Sequence, residues 1–325
     1  MPIAASDLAA LIGAVVLAAV GGEAFLKSIL GAAAHLRVPK AVAATTLAAF
    51  ATSSPELTVS TIAAVSGTPE IGLGDALGSN VFNIALIFGL ALLFGAIRSP
   101  RKEFHHDFAL ALAVPFLTLV FALDGRIARG EGAILLLVFA IWLGFTLRAA
   151  LRHRASKSGE PPTNTGLAPW LTLVLGVLGL GALVMAGRLF VLGATGIAAA
   201  FQVNIYVIGV LVVAIGTSLP ELVTMLLARL RGHDDVGVGT LIGSNLFNGL
   251  AIVGVAASIH PIAAPLNEIV VTLVCGVAGL LLLLPNRAGI ISLGRGIMLL
   301  GLYGGFVLAT LAASNQPRYA NWCCG

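Results

Sequence analysis

Two stretches of the sequence carry the residues that could do chemistry, and they carry nearly the same ones. From Ala49 to Asn83 the chain holds Thr52-Ser53-Ser54-Pro55-Glu56, then Gly78-Ser79-Asn80-Val81-Phe82-Asn83. From Ala214 to Asn248 it holds Thr217-Ser218-Leu219-Pro220-Glu221, then Gly243-Ser244-Asn245-Leu246-Phe247-Asn248. Each copy sets a carboxylate, hydroxyls and a proline inside strongly apolar sequence, where polar groups are expensive and mark function by default. Carboxylates, hydroxyls, amides and backbone carbonyls together make an all-oxygen site. No His or Cys accompanies them, so transition metals are poorly matched. Ca²⁺ suits such a set, because it takes about 6–8 oxygens in flexible geometry. Two close carboxylates cannot both stay ionised without a cation or a proton. Binding is thereby coupled to charge, through one divalent ion, monovalent ions or protons, and that coupling is a physical basis for exchange. The plain alternative makes the prolines ordinary kinks and the glutamates neutral packing residues. Two matched sets at one common offset weigh against it.

The elements that must position these residues are membrane helices. The chain has 325 residues, 58% of them hydrophobic and only 10% charged, with a mean hydropathy of +1.04. A span needs about 20 mostly apolar residues, and roughly ten such segments fit. We place helices at about 6–35, 40–65, 71–97, 106–124, 129–152, 168–200, 205–230, 236–257, 263–284 and 292–313, by apolar run and breaker. No Lys or Arg precedes the first run, which therefore lacks the basic start of a signal peptide and reads as a transmembrane segment. The formal charge of +4 lies in loops and reads as an orientation signal, not as a nucleic-acid surface. Cys275 reads as packing, and the adjacent Cys323 and Cys324 as tail residues, since their spacing fits neither a metal site nor a disulfide framework.

An offset of 165 residues maps the first half onto the second: Gly22 onto Gly187, Phe25 onto Phe190, Gly89 onto Gly254, and both polar motifs without a gap. This is one internal duplication. Residues 1–152 form the first repeat, 153–167 a polar linker with Pro161-Pro162, and 168–325 the second repeat with a short tail. With the N-terminus outside, the inside connections hold 14 Lys and Arg against 3 outside, a clear bias by the positive-inside rule. Five helices per half is an odd number, so the halves must be inverted, the architecture of many secondary transporters. The expected fold is an all-α membrane protein of ten transmembrane helices in two inverted five-helix repeats. Both termini are expected outside a cell membrane. Pro55 and Pro220 lack an N–H. They should free the Ala51 and Gly216 carbonyls and bend or unwind the helix there. Glu56 and Glu221 should face each other near the midplane, where such folds bind their cargo.

These motifs closely resemble the α-repeats of the cation/Ca²⁺ exchanger superfamily, especially its prokaryotic sodium/calcium exchanger branch. The likeness covers nearly the whole chain. The proton/Ca²⁺ branch usually reads Gly-Asn-x-x-Glu at the first motif, where this chain has Thr-Ser-x-Pro-Glu twice. The resemblance implies an antiporter, not an enzyme, that exchanges Na⁺ for Ca²⁺ by alternating access. It implies Ca²⁺ on Glu56 and Glu221 with the carbonyls of Thr52 and Thr217. Two flanking Na⁺ sites would draw on Ser53, Ser79 and the Ala49 carbonyl, and on Ser218, Ser244 and the Ala214 carbonyl, with their division between the sites left open. A middle site would involve Asn83 and Asn248. The first and sixth helices would slide as the gate. Two departures stand out. Ala51 replaces the usual Gly. Asn248 replaces an Asp found in several members, which argues against K⁺ co-transport. No prosthetic group and no obligate protein partner is evident; the partners are Ca²⁺, Na⁺ or H⁺, and the lipid bilayer.

Competing readings are an H⁺/Ca²⁺ antiporter using the same glutamates, a cation channel, and an intramembrane hydrolase. The last needs an activated nucleophile or a metal, and neither Ser79 nor Ser244 has a His or Lys at a partner position. Outside the repeats, Asp75 has Thr240 as its counterpart and so breaks the symmetry; it lines an external mouth or is merely solvated. Glu23 and Lys27 are ordered for an i,i+4 ion pair, with a gating contact as the alternative. His105 and His106, and Asp234 and Asp235 near Arg229 and Arg231, read as solvated inside loops. Trp170 and Trp322 fit interfacial anchors.

Overall fold

A computed structural model describes residues 5–98, 101–156, 167–200, 214–264, 266–286 and 288–314. The protein is a helical membrane protein. Its helices are α1 (Ala5–Leu36), α2 (Lys40–Thr52), α3 (Ser54–Val65), α4 (Pro69–Leu93), α5 (Arg101–Phe121), α6 (Arg129–Ser156), α7 (Pro169–Ala200), α8 (Ala214–Thr217), α9 (Leu219–Leu230), α10 (Asp234–Ile259), α11 (Leu266–Leu282) and α12 (Leu293–Ser314). Among the described residues, seven helices are long and apolar enough to cross a membrane, and α2 and the Ile269–Leu282 part of α11 are shorter apolar helices. The expected helix over 40–65 is two, α2 and α3, divided at Ser53. Residues 205–213 of the expected seventh helix, most of the linker, and the tail with Trp322, Cys323 and Cys324 lie outside the described residues.

Two helices form the centre. In α4 and α10, 72% and 78% of the spanning window is buried, against 17–28% in the other five spans. The outer helices turn Leu, Ile, Val and Phe outward, as lipid requires. Phe82, Ile84, Ile87 and Phe88 of α4 and Leu241, Leu246 and Leu250 of α10 fill the interior. Lipid is as apolar as these side chains, so close packing rather than burial holds the helices together. Small residues make that packing possible. Gly89 of α4 lies against Gly296 and Leu300 of α12, and Gly254 of α10 lies against Gly132 and Leu136 of α6. Each half thus presses its central helix on the last helix of the other half.

Short strands repeat that exchange. β1 (Ile97–Arg98) follows α4, β2 (Arg126–Ile127) precedes α6, β3 (Ile262–Ala263) follows α10, and β4 (Ile290–Ile291) precedes α12. β1 pairs antiparallel with β4 through Ile97 and Ile291, and β2 with β3 through Ile127 and Ile262. All four isoleucines are buried.

The counterpart helices α1 and α7 pack along their length. Gly31 meets Thr172, Ser28 meets Gly176, Phe25 meets Gly179, Gly21 meets Ala182 and Gly13 meets Leu189. The partner number rises as the other falls, so α1 and α7 run antiparallel. A Cβ on Gly22 would strike Val223, and one on Gly187 would strike the Gly216 carbonyl. Here glycine is required by closeness alone.

Surface ion pairs depart from the sequence reading in two places. Glu23 pairs with Lys27 at 3.4 Å, as expected, but also with Arg231 at 2.9 Å, which ties α1 to the end of α9. Asp234 is not merely solvated. It binds Arg229 at 3.0 Å, and Arg229 also donates to the Phe94 and Ala96 carbonyls at 3.1 and 3.3 Å, closing the end of α4 against α9.

Candidate cation site

The site is built on two matched helix breaks. Ser53 (φ −84°, ψ 6°) and Ser218 (φ −87°, ψ 12°) interrupt the ladder in the same way, in the bridge region where active-site residues often sit. Pro55 and Pro220 are each the second residue of the helix that restarts, where a missing N–H is harmless. Glu56 and Glu221 follow at once, in the first turns of α3 and α9. The positive end of each helix dipole favours an anion there.

The freed carbonyls are not alike. Ser54 donates its hydroxyl to the Ala51 carbonyl at 2.7 Å, so that oxygen is satisfied within the chain, contrary to the sequence expectation. Position 219 is Leu and has no such hydroxyl; the Gly216 carbonyl lies instead against Gly187 of α7. The Ala49 carbonyl, expected as a Na⁺ ligand, accepts the Ser53 N–H at 2.9 Å and the Thr52 hydroxyl at 3.3 Å. It can bind a cation only if Thr52 turns away.

Glu56 and Glu221 are each only 1% exposed, and neither faces lipid. Each takes a hydrogen bond from the serine of the other half: Ser218 donates to Glu56 Oε1 at 3.1 Å and Ser53 to Glu221 Oε1 at 3.2 Å. Ser244 also donates to Glu221 Oε1 at 3.2 Å, and the Thr52 and Ser244 hydroxyls meet at 3.4 Å. On the other side Ser218 reaches Ser79 at 3.2 Å. The division that the sequence left open is therefore crossed. Ser53, Ser244 and Thr52 gather at Glu221, while Ser218 and Ser79 gather at Glu56. Thr217 stands beside them, its hydroxyl on Asp75. Asp75 is thus no solvated loop residue, since its charge also acts on Glu56.

Asn83 and Asn248 are each the second residue of a π-helical turn, Phe82–Ile87 and Phe247–Ile252. Such widened turns recur at functional sites, and nothing in the residue pattern announces them. Asn83 donates to Asn245 Oδ1 at 3.2 Å. Asn80 and Asn245, to which the sequence reading gave no separate role, bond across to each other's backbone carbonyl at 3.3 and 3.4 Å. They pin α4 to α10. Their identical position in both motifs was the available signal.

What remains bare at the site is mostly oxygen, with one amide nitrogen. Glu56 Oε2, Glu221 Oε2, Asp75 Oδ2, Asn80 Oδ1, Asn83 Oδ1 and both polar atoms of Asn248 are buried without a hydrogen-bond partner. Each such group costs about 1–3 kcal/mol, and more if charged. A hard cation is the partner that this set fits.

A family model for the sodium/calcium exchanger protein matches residues 6–148 and again 171–312, once in each half. CaxA of Alkalimonas amylolytica is 35% identical over 247 residues, 74% of this chain and 76% of CaxA. The sodium/calcium exchanger MaX1 of Methanosarcina acetivorans is 25% identical over 330 residues, 89% of this chain and 93% of its own. Among solved structures, the sodium-calcium exchanger NCX_Mj soaked with 10 mM Na⁺ and zero Ca²⁺ superposes with a TM-score of 0.78 at 28% identity, covering 96% of this chain and 99% of that one.

Proposed function

The chain belongs to the sodium/calcium exchanger protein family, and from that premise we propose that it is a secondary active antiporter exchanging Na⁺ for Ca²⁺ by alternating access. The observation that carries this reading is the reciprocal pair of serine-to-glutamate bonds, with one bare, buried oxygen left on each glutamate. Two carboxylates at this depth repel each other and lack water. A cation must offset both effects.

In this reading Ca²⁺ lies between Glu56 and Glu221, with the Thr52 and Thr217 carbonyls completing its shell. One Na⁺ uses Ser53, Ser244, Glu221 and, once Thr52 turns away, the Ala49 carbonyl. Another uses Ser218, Ser79, Glu56 and the Ala214 carbonyl. Asn83 and Asn248 serve the position between. All these ions draw on the same two carboxylates, so Na⁺ and Ca²⁺ exclude one another. That exclusion is what turns two binding events into an exchange.

The scaffold that would perform it is ten transmembrane helices in two inverted repeats, residues 1–152 and 168–325, joined by a cytoplasmic linker. The antiparallel run of α1 and α7, counterparts in the duplication, supports the inversion. We place both termini outside, from the distribution of Lys and Arg. We assign α1 and α7 as the sliding gate, since glycines on both helices leave few protruding side chains between them.

Purified protein in proteoliposomes tests the reading. An outward Na⁺ gradient is expected to drive Ca²⁺ uptake. Uptake that follows a pH gradient and ignores Na⁺ would instead assign the counter-ion as H⁺. Flux indifferent to any counter-ion would mean a channel.

A further inference from the structure

We propose that Asp75 and Glu56 together hold an accessory station for one small monovalent cation, on the Glu56 side of the site only. The inference rests on the exchange reading above and adds a ligand that the duplication does not supply.

Asp75 lies on α4 one turn before Ser79, so both point along one stripe of the helix. One Asp75 oxygen meets the Thr217 hydroxyl. The other, Oδ2, is buried and bare, as is Glu56 Oε2. The charge of Asp75 acts on Glu56, which also feels Glu221. Ser79 and Glu56 are joined through Ser218. Two carboxylates held by adjacent residues, Asp75 by Thr217 and Glu56 by Ser218, each with an unused oxygen away from water, call for a positive charge between them.

The mirrored position cannot do this. Thr240 is fully buried, and its hydroxyl is turned onto its own helix, to the Val236 carbonyl at 2.9 Å. Glu221 therefore has no second acid of this kind.

Ligand number sets the class of ion. Among the described residues, no three His, Cys, Asp or Glu side chains converge to hold a metal ion. Asp75 thus does not join Glu56 and Glu221 around one Ca²⁺. Two carboxylates and a hydroxyl fall short of the roughly 6–8 oxygens that Ca²⁺ prefers. They suffice for Na⁺ with water. Asp75 is also half-buried where Glu56 is sealed, so an ion arriving from solvent meets Asp75 first.

The test is binding of radiolabelled Ca²⁺ to purified full-length protein, in a Na⁺ series and, without Na⁺, in a pH series. Asp75→Asn is expected to bind Ca²⁺ within about threefold of the unchanged protein when competitors are absent. About tenfold more competing cation is then expected to be needed to displace it, the effect of losing one charge-assisted contact. A change in the Na⁺ series supports Na⁺ as the occupant, and one confined to the pH series overturns the proposal. Asp75→Thr, which places the mirror residue at 75, gives the same readout if the Asn variant does not yield monodisperse protein. Variants that match the unchanged protein in both series overturn the proposal. So does loss of Ca²⁺ binding as deep as that of Glu56→Gln, because Asp75 would then belong to the Ca²⁺ cage. If the unchanged protein binds Ca²⁺ that Na⁺ does not displace, the Na⁺/Ca²⁺ exchange reading itself falls, a result distinct from a variant whose Na⁺ response merely matches that of the unchanged protein.

Discussion

The Glu56 side and the Glu221 side descend from one sequence and do not do the same work. Glu221 is held by two hydroxyls on one oxygen, from Ser53 and Ser244. Glu56 has one, from Ser218, and a neighbouring acid, Asp75. At the helix break, Ser54 closes the Ala51 carbonyl, whereas the Gly216 carbonyl rests on Gly187. At the helix end, Arg229 clamps α9 to the carbonyls after α4, while its counterpart Ala64 can clamp nothing. The duplicated parts are the serines, glutamates and prolines of the two helix breaks. The parts that differ govern how tightly each side is held and what reaches it. In the exchange reading proposed above, symmetry marks the cargo site and its violations mark the differences between the two routes.

The largest test asks whether the two sides are one cage. Glu56→Gln and Glu221→Gln should each reduce Ca²⁺ binding on the order of 100-fold or more, since removing one member of a buried charge set strands the rest by about 3 kcal/mol or more. Equilibrium binding checks this, and a mild effect in either variant would divide the cage in two. A middle-sized effect separates the sides. Ser218→Ala should weaken Na⁺ competition about tenfold and Ser53→Ala only about threefold, because a hydroxyl on a carboxylate contributes about 1.5–3 kcal/mol and Glu221 keeps Ser244. Equal effects would mean that the unequal bonding has no consequence. The smallest concerns His233, which precedes α10 where Thr68 precedes α4. Desolvation, and then the charge of Lys40, holds this imidazole below its ordinary 6.5, against the opposing pull of Asp235. The unfolded chain therefore binds the proton first, and stability falls as pH drops through the unfolded value. His233→Thr should remove that acid-side loss, a Tm difference of about 1 °C or less between neutral and mildly acid buffer.

Much of this was legible in the residue order. Helix ends fell within a few residues, because apolar runs and Pro or Gly breakers obey local rules. The acidic pair and its serines were legible because they recur at one offset. Three features were not. Which serine serves which glutamate depends on how the halves cross, and no spacing along one chain encodes that. The π-turns at Phe82 and Phe247 arise from packing around Asn83 and Asn248 and leave no pattern in residue type. The cap from Ser54 to Ala51 was readable in principle, since a hydroxyl three residues on can bond back to a freed carbonyl. Arg229 and Asp234 read as loop charges because the carbonyls that Arg229 grips belong to a segment more than a hundred residues away.

The exchanged strands have a mechanical consequence. β1 is stitched to β4 and β2 to β3, so both seams between the halves are sewn shut at their rims. Those seams cannot hinge apart like a clam. Among the described residues, α1 and α7, lying alongside each other on glycine, carry none of these strands. The alternating-access reading proposed above therefore expects α1 and α7 to shift across a frame that stays stitched at both rims.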